Sequence, residues 1–262
     1  MHFVAPPTPV ILLPPSEGKT EGGDGPPLDW GSGRLESLHA PRLAVRDGVL
    51  RVLRRKADAA KLLGVKGAHL ERALAEWRDI DSSPTMPAAH RYSGVVWGGL
   101  DLASLPSAAR RRAMSRIVVP SGLWGLVAAD DAIPAYRLKM GARVGRLGLL
   151  STWWRPAVSA ALAHRAGRGV VIDLLPHEHA AAIDATVLRP GALVRVDIVE
   201  DGPDGRRSVG HAGKQVKGHL ARAIADADAR TADDIAALDV DGLSLVGLEV
   251  GDTTLITFRR RT

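Results

Sequence analysis

The chain has no cysteine and few aromatic side chains. Among its 262 residues there are two phenylalanines, two tyrosines and six tryptophans. The absence of cysteine excludes disulfides, thiolate metal sites, iron–sulfur clusters and a cysteine nucleophile. The shortage of Phe and Tyr argues against a platform on which the bases of a single strand would stack.

The sequence also lacks a recognisable targeting or membrane-spanning segment. The residues from Met1 to Pro7 do not combine a basic start with an apolar stretch, so they do not resemble a signal peptide. No apolar window approaches the length that spans a bilayer. We therefore expect a cytoplasmic protein without membrane contact, and we favour a monomer with a single domain over residues 1–262.

Acidic residues are fewer than basic ones. The chain has 35 Lys and Arg against 29 Asp and Glu, which gives a formal net charge of +6. A basic domain is a candidate for binding polyanions such as DNA. The same excess also fits an arginine-rich composition that only keeps the surface soluble, and charge alone leaves both interpretations open.

Three apolar runs each end in proline and open a polar loop. A continuous run of branched apolar residues indicates a strand that is buried on both faces, and proline ends such a strand. If the strands are parallel, Lys19, Ser121 and Glu178 meet at their carboxyl edge, where open α/β sheets bind ligands. The three runs are Val10–Pro15, Ile117–Pro120 and Val170–Pro176.

The rest of the chain alternates helical and extended patterns. Apolar spacing predicts helices within 34–80, around 108–115, over 150–167 and over 214–228. Residues 192–200 alternate as a strand, 202–205 predict a hairpin turn, and Thr231 with Asp234 predicts a capped helix start. Strands alternate with helices in the first part of the chain, and hairpins occur in the last part. This order favours a mixed α/β (α+β) fold, with one mixed sheet flanked by helices.

The first polar loop carries Gly18-Lys19-Thr20, which invites comparison with a phosphate-binding loop. The full pattern needs glycine where Leu13 stands, and a Gly/Pro-rich loop follows instead of a helix. A lysine at the end of a strand can still meet a phosphate as a point charge, or act as a nucleophile if it is desolvated. An ordinary solvated loop lysine is the alternative.

A second motif lies in a helical lobe at about 40–80. Gly64-Val65-Lys66-Gly67 separates two helical patterns, as in a helix–hairpin–helix, whose backbone N–H groups bind a phosphate oxygen without reading sequence. Arg54, Arg55 and Lys66 lie nearby and favour DNA binding. An ordinary helical hairpin with a glycine cap fits equally well.

Two further segments offer cations for an anionic ligand. Tyr136 precedes Arg137, whose planar fork suits a carboxylate or phosphate, although surface pairing with an acid is common. Lys214 and Lys217 are predicted in the first turn of a helix, where they oppose the helix dipole. A bound anion would supply the missing charge, whereas in its absence both lysines simply reach solvent.

The third polar loop places Glu178 between two histidines. His177 and His179 are spaced as two metal ligands on one face of an extended segment, but nothing fixes a third ligand. We therefore predict no metal and no cofactor. Glu178 is the better candidate, as a general base or as the partner of a cation.

Taken together, these segments resemble the YaaA peroxide-stress proteins of bacteria. The likeness follows the family's order over nearly the whole chain, and Lys217, Lys139, His177 and His179 depart from its usual residues. The segments that carry it are Val10–Thr20, Gly94–Leu100, Ser121–Gly125, Pro134–Gly141, Val170–Glu178 and Lys214–Gly218.

The resemblance implies a mixed α/β domain with a helix–hairpin–helix lobe and a positively charged cleft. It also implies DNA binding and protection against peroxide damage by limiting free iron. The implied catalytic or cleft residues are Lys19, Tyr136, Arg137, Glu178 and Lys214. The residues expected to bind a ligand or phosphate are Ser16, Thr20, Ser121 and Lys217, and those expected to bind DNA are Gly64, Lys66, Gly67, Arg54 and Arg55.

A second function remains open from the same residues. A lysine, a tyrosine–arginine pair and a glutamate around one cleft could form an acid–base or covalent-lysine set. The partner would then be a small anionic substrate such as a nucleotide or nucleoside.

Overall fold

The computed structural model describes residues 7–31, 35–202, 205–208 and 211–261. The strands are β1 (Val10–Leu12), β2 (Met86–Pro87), β3 (Ile117–Ser121), β4 (Gly125–Ala128), β5 (Ala132–Ile133), β6 (Arg143–Val144), β7 (Gly148–Leu149), β8 (Val171–Asp173), β9 (Leu193–Gly202), β10 (Gly205–Ser208), β11 (Leu243–Glu249) and β12 (Thr253–Arg260). The helices are α1 (His39–Leu53), α2 (Lys56–Leu63), α3 (Gly67–Arg78), α4 (Ala88–Arg91), α5 (Val95–Leu100), α6 (Ser107–Arg116), α7 (Leu150–Ala166), α8 (His177–Ala180), α9 (His211–Asp226) and α10 (Ala232–Ala236).

One mixed sheet organises the fold, as the sequence predicts. Its strand order is β11-β12-β9-β8-β1-β3-β4, and β10 pairs with β9. The centre is parallel, since β1 pairs in parallel with both β3 and β8, and β9 pairs in parallel with β8 and β12. The margins are antiparallel, in β3–β4 and β11–β12. Two small ribbons, β2–β5 and β6–β7, lie outside this sheet.

The central strands are buried because helices cover the sheet. Ile11 of β1 lies opposite Ile117 of β3 and Ile172 of β8, and all three side chains are fully buried. Branched side chains in register across three strands remove apolar surface from water on both faces. This confirms that the three apolar runs form neighbouring parallel strands.

Two helices approach each other through glycines. A Cβ atom at Gly99 of α5 would overlap the Gln215 carbonyl, and one at Gly218 of α9 would overlap the Val96 carbonyl. Only glycine permits this backbone contact, which packs α9 against α5. Helix α5 in turn is bonded to the loop that follows β1, since Trp97 donates its indole N–H to the Pro14 carbonyl at 3.2 Å. The lysines in the first turns of α9 therefore come near the carboxyl edge of the sheet.

The helical lobe is joined to the rest of the chain by specific bonds. Helix α2 ends at Gly64, whose φ of 65° is left-handed, and α3 begins three residues later. Trp77 of α3 is fully buried and donates its indole N–H to the Arg137 carbonyl at 2.9 Å. Arg137 in turn donates its Nε to the Leu63 carbonyl at 3.1 Å.

Several predicted local features are confirmed. β9 and β10 form the predicted antiparallel hairpin, although turn residues 203–204 lie outside the described part of the chain. Thr231 and Asp234 form a capping box at the start of α10. The helix predicted over 214–228 begins earlier, at His211, and ends at Asp226. In the described residues, we find no helix long and apolar enough to cross a membrane.

Candidate functional site

The loops after β1, β3 and β8 emerge at the same edge of the sheet. Because these strands are parallel neighbours, the segment after each strand leaves the sheet on the same side. A small cavity of about 60 Å³ lies there, and four of the five predicted cleft residues line it. These residues are Lys19, Tyr136, Arg137 and Glu178.

Lys19 is held by its own loop and by two aromatic rings. Its backbone forms a bridge with Tyr92, and its Nζ donates to the Ser16 carbonyl at 3.1 Å. The ammonium lies 4.3 Å from the ring centroid of Tyr136 and 5.5 Å from that of Tyr92. Cation–π attraction therefore partly replaces the water that the amine has lost.

The surroundings of Lys19 make its amine lose a proton more readily than an ordinary lysine does. Burial is the main cause that lowers the pKa of Lys19, from 10.5 to about 7, and Arg137 lowers it further. Glu76 and Glu17 act in the opposite direction through their negative charges. Near neutral pH, the amine therefore exists in both its protonated and its neutral form.

Below the lysine, a chain of buried hydroxyls fixes the two tyrosines. The Tyr136 and Tyr92 hydroxyls lie 2.7 Å apart, and the Ser121 hydroxyl lies 2.6 Å from that of Tyr136. Ser121 Oγ also accepts backbone N–H bonds from Leu123 and Trp124. Burial raises the pKa of Tyr136 to about 12, so the ring carries a neutral phenol at neutral pH.

Glu17 bridges two cations at the rim of the small cavity. One carboxylate oxygen lies 2.6 Å from an Arg137 Nη, and the other lies 2.8 Å from Lys139 Nζ. The hydrogen bond from Lys139 is the largest cause that lowers the pKa of Glu17, followed by that from Arg137. A carboxylate between an arginine and a lysine marks a position that suits an anion.

Glu178 lies in the short helix α8, just beyond the strand end where the sequence places it. It is exposed, and its Oε1 accepts the Gly141 backbone N–H at 3.0 Å. The neighbouring His179 has a lowered pKa because it is buried, and its Nδ1 has no hydrogen-bond partner among the described residues. Nowhere in the described residues do three or more His, Asp or Glu side chains form a group that could hold a metal ion.

A larger cavity of about 670 Å³ adjoins the small one. It contains the fifth predicted cleft residue, Lys214, together with Lys217. Lys217 donates to the Leu175 carbonyl at 3.1 Å, and burial lowers its pKa. Beside it, Arg195 lines the cavity and binds the buried Asp173 through two nitrogens, at 2.9 and 3.1 Å.

A third cavity, of about 320 Å³, lies on the other side of Lys19. It reaches helix α3, where His69 and Arg72 line it. Arg72 pairs with Glu21 at 2.7 Å and with Glu76 at 3.3 Å. Lys19 thus lies between the small cavity and a depression that leads to the helical lobe.

The remaining predicted ligand residues occupy different places. Ser16 lines both the small and the larger cavity, and its hydroxyl accepts the Ser93 N–H at 2.9 Å. Thr20 lies outside the three cavities, where its backbone N–H bonds to the Arg91 carbonyl. Ser121 is fully buried beneath Tyr136, so it supports the site without lining a cavity.

The predicted DNA-binding residues lie on the lobe and are exposed. Gly64, Lys66 and Gly67 form the turn between α2 and α3, while Arg54 and Arg55 precede α2. If Gly64 had a Cβ atom, that atom would lie 4.0 Å from Lys139 Nζ. The turn is therefore adjacent to the cluster of Glu17, Arg137 and Lys139.

Sequence reasoning missed several residues of the site. Tyr92, Glu17 and Glu76 act on Lys19, and none was a candidate. Asp173 and Arg195 were also missed, although they lie opposite each other in the register of β8 and β9. An acid that ends an apolar strand is the signal that could have drawn attention to Asp173.

The chain is similar to known proteins over most of its length. The protein family described as "Peroxide stress protein YaaA" matches residues 10–247 of this chain. A UPF0246 protein of Streptomyces coelicolor is 38% identical over 218 residues, which cover 82% of each chain. A UPF0246 protein of Corynebacterium efficiens is 37% identical over 238 residues, which cover 87% of this chain and 90% of the relative.

A UPF0246 protein of Corynebacterium glutamicum is 35% identical over 233 residues, which cover 86% of this chain and 89% of the relative. The matched region includes every strand of the cavity edge and every cleft residue considered above. The chain belongs to the YaaA family of peroxide stress proteins.

Proposed function

We propose that this protein binds DNA along a groove formed by the three cavities and the turn between α2 and α3, and so protects against peroxide damage. The observation that carries the proposal is that neighbouring cavities share walls. The larger and small cavities share Ser16 and Glu178, and the small and third cavities share Lys19 and Arg137. A continuous depression suits an extended ligand better than a compact one.

The charge along this depression supports a polyanion. Among the residues that the structure describes, seven Lys and Arg line the three cavities, against four Asp and Glu. The cations are spread from one end to the other, from Lys214 through Lys139 to Arg72. Cations that neutralise several phosphates along a strand release counterions and provide affinity without reading the sequence.

The hairpin turn adds backbone donors to this surface. No side chain of the described residues caps the N-terminus of helix α3, where Lys66 stands, so its first N–H groups are available to a phosphate oxygen. Arg54 and Lys66 make no ion pair with any described residue, whereas Arg55 pairs with Asp58 at 3.4 Å. Binding of these three side chains to phosphates would therefore break one ion pair of the described residues, that between Arg55 and Asp58.

A binding assay with matched variants tests the proposal. Fluorescence anisotropy of a labelled 20-bp duplex compares the wild type with the triple variant Arg54→Ala, Arg55→Ala and Lys66→Ala. We expect at least a ~10-fold loss of affinity and a salt slope lower by about three, since three phosphate contacts are removed.

Arg168→Ala is the matched control for this assay. Arg168 is exposed and lies just before β8, at the opposite edge of the sheet from the groove. The control should bind like the wild type. Equal binding by all three proteins would refute the role of the lobe, and absence of duplex binding by the wild type would refute the proposed function.

The size of the larger cavity favours a second candidate, an enzyme for a small anionic substrate. Its volume of about 670 Å³ lies within the range of small-molecule sites, ~300–1,000 Å³, and it holds Arg195, Lys214 and Lys217. A thermal-shift screen of nucleotides and nucleosides tests this alternative. A shift that Lys217→Ala abolishes would support it, and no shift with any compound would count against it.

A further inference from the structure

We propose that Lys19 is a nucleophile that forms an imine with the aldehyde of a phosphorylated sugar. In DNA, an abasic site carries such an aldehyde next to phosphates, and that form of the proposal rests on the proposed DNA binding. A free sugar phosphate presents the same chemistry, so the experiment below separates the two sources.

The position of the amine is the first argument. Lys19 Nζ has one hydrogen-bond partner, the Ser16 carbonyl, and no carboxylate of the described residues lies within 4.0 Å of it. Two of the surface lysines differ, because Lys139 pairs with Glu17 and Lys56 pairs with Glu71. An amine without an acid partner keeps its lone pair available once it loses its proton.

Access is the second argument. Lys19 lines both the small cavity and the third cavity, and the third, at about 320 Å³, has room for a sugar to approach the lysine. A lysine that served only to fill the core would have apolar neighbours on every side. Here the tyrosine rings cover one side of the amine, and the two cavities that Lys19 lines also contain charged side chains, among them Arg137 and Glu76.

A neighbouring anion position is the third argument. The Glu17 carboxylate lies between Arg137 and Lys139 in the wall of the same small cavity. Glu17 is exposed on a loop, so a phosphate can replace it between the two cations. A phosphate bound there would hold its sugar beside Lys19.

The reaction that we infer needs no oxidant, reductant or metal. The neutral Nζ attacks the aldehyde carbon, and a C–N bond forms as the carbonyl π bond breaks to give a carbinolamine. The carbinolamine oxygen then leaves as water, with its two protons derived from the amine through exchange with solvent. The low pKa of Lys19 leaves a substantial neutral fraction at neutral pH, as this attack requires.

Reductive trapping on the full chain tests the inference. The protein is incubated with sodium cyanoborohydride and one of two probes, a duplex that contains an abasic site or 2-deoxyribose 5-phosphate. We expect an adduct with at least one probe, mapped to Lys19 by peptide mass spectrometry. Its rate of formation should reach half of its maximum near pH 7, because the neutral amine reacts.

Two variants complete the experiment. Lys19→Arg keeps the positive charge but cannot form an imine, so the adduct should disappear. Lys61→Arg, at an exposed position of α2, should trap like the wild type. Mapping on the wild type needs no variant and therefore stands even if the Lys19 variant misfolds. An adduct mapped to other lysines, or none with either probe, would overturn the inference.

The outcome is separable from that of the proposed function. Binding of an undamaged duplex is measured in parallel. Duplex binding without any adduct overturns the role of Lys19 and leaves DNA binding in place. A Lys19 adduct with 2-deoxyribose 5-phosphate, without duplex binding, supports the inference and refutes the proposed function.

Discussion

Replacement of Lys19 by methionine should stabilise the protein at low pH more than at high pH. Burial lowers the pKa of Lys19 from 10.5 to about 7 in the folded chain, whereas the unfolded chain keeps the ordinary value. Between these pH values the unfolded state binds more protons than the folded state, so this lysine makes stability rise with pH. Below about pH 7 both states are protonated, and the full cost of burying an ammonium group is present.

The magnitude follows from the size of the pKa shift. A shift of this size is equivalent to ~5 kcal/mol, at about 1.4 kcal/mol for each pKa unit. Methionine fills a similar volume and has no charge to bury. The stability advantage of Lys19→Met over the wild type should therefore shrink by ~2–5 kcal/mol as the pH rises from 6 to 10.

Urea unfolding followed by tryptophan fluorescence measures this difference. The wild type, Lys19→Met and the exposed control Lys61→Met are each unfolded at several pH values from 6 to 10. The control should differ from the wild type by an amount that does not change with pH. A constant difference for Lys19→Met over the same range would refute the conclusion that the folded chain desolvates this amine.

Three further substitutions test the scaffold of the site, each by chemical denaturation. Gly218→Ala places a Cβ against the Val96 carbonyl and should cost ~3 kcal/mol, whereas an unchanged stability would contradict the close helix contact. Asp173→Ala removes the buried partner of Arg195, which is 37% exposed, and should cost ~1–3 kcal/mol, whereas an unchanged stability would argue against that ion pair. Tyr136→Phe removes a buried hydroxyl with two partners and should cost ~1–3 kcal/mol, so a neutral effect would show that the hydroxyl chain adds no stability.

The carboxyl edge of the sheet could be predicted because it depends on local patterns. Each apolar run is continuous and ends at a proline, which fixes both the buried strand and the start of the polar loop. Parallel pairing of these strands then brings Lys19 and Glu178 together, as the structure confirms. The order of elements along the chain therefore located the candidate site only together with the assumption that these strands are parallel.

The electrostatics of the site could not be predicted because they depend on residues distant in sequence. Tyr92 and Tyr136 desolvate Lys19 from positions more than seventy residues further along the chain. No spacing rule relates a loop lysine to those rings, and the residue taken alone favoured a solvated loop lysine. Likewise, Asp173 meets Arg195 only because β8 and β9 pair in one particular register.

Thr20 shows that a residue next to a correctly predicted site residue can still lie outside the site. It follows Lys19 directly and has a hydroxyl suited to phosphate, yet the chain turns toward Arg91 at this point. Arg91 is buried and donates to the carbonyls of Ile133 and Pro84 as well as to that of Thr20. The direction of a loop residue is set by such tertiary anchors, which a motif does not reveal.

The salt dependence of DNA binding tests the central claim most directly. The affinity of the wild type for a 20-bp duplex is measured by fluorescence anisotropy between 50 and 200 mM salt. A groove that neutralises about six phosphates predicts a ~1,000-fold loss of affinity over this range. No detectable binding at 50 mM salt, or an affinity that stays constant up to 200 mM, would contradict the account.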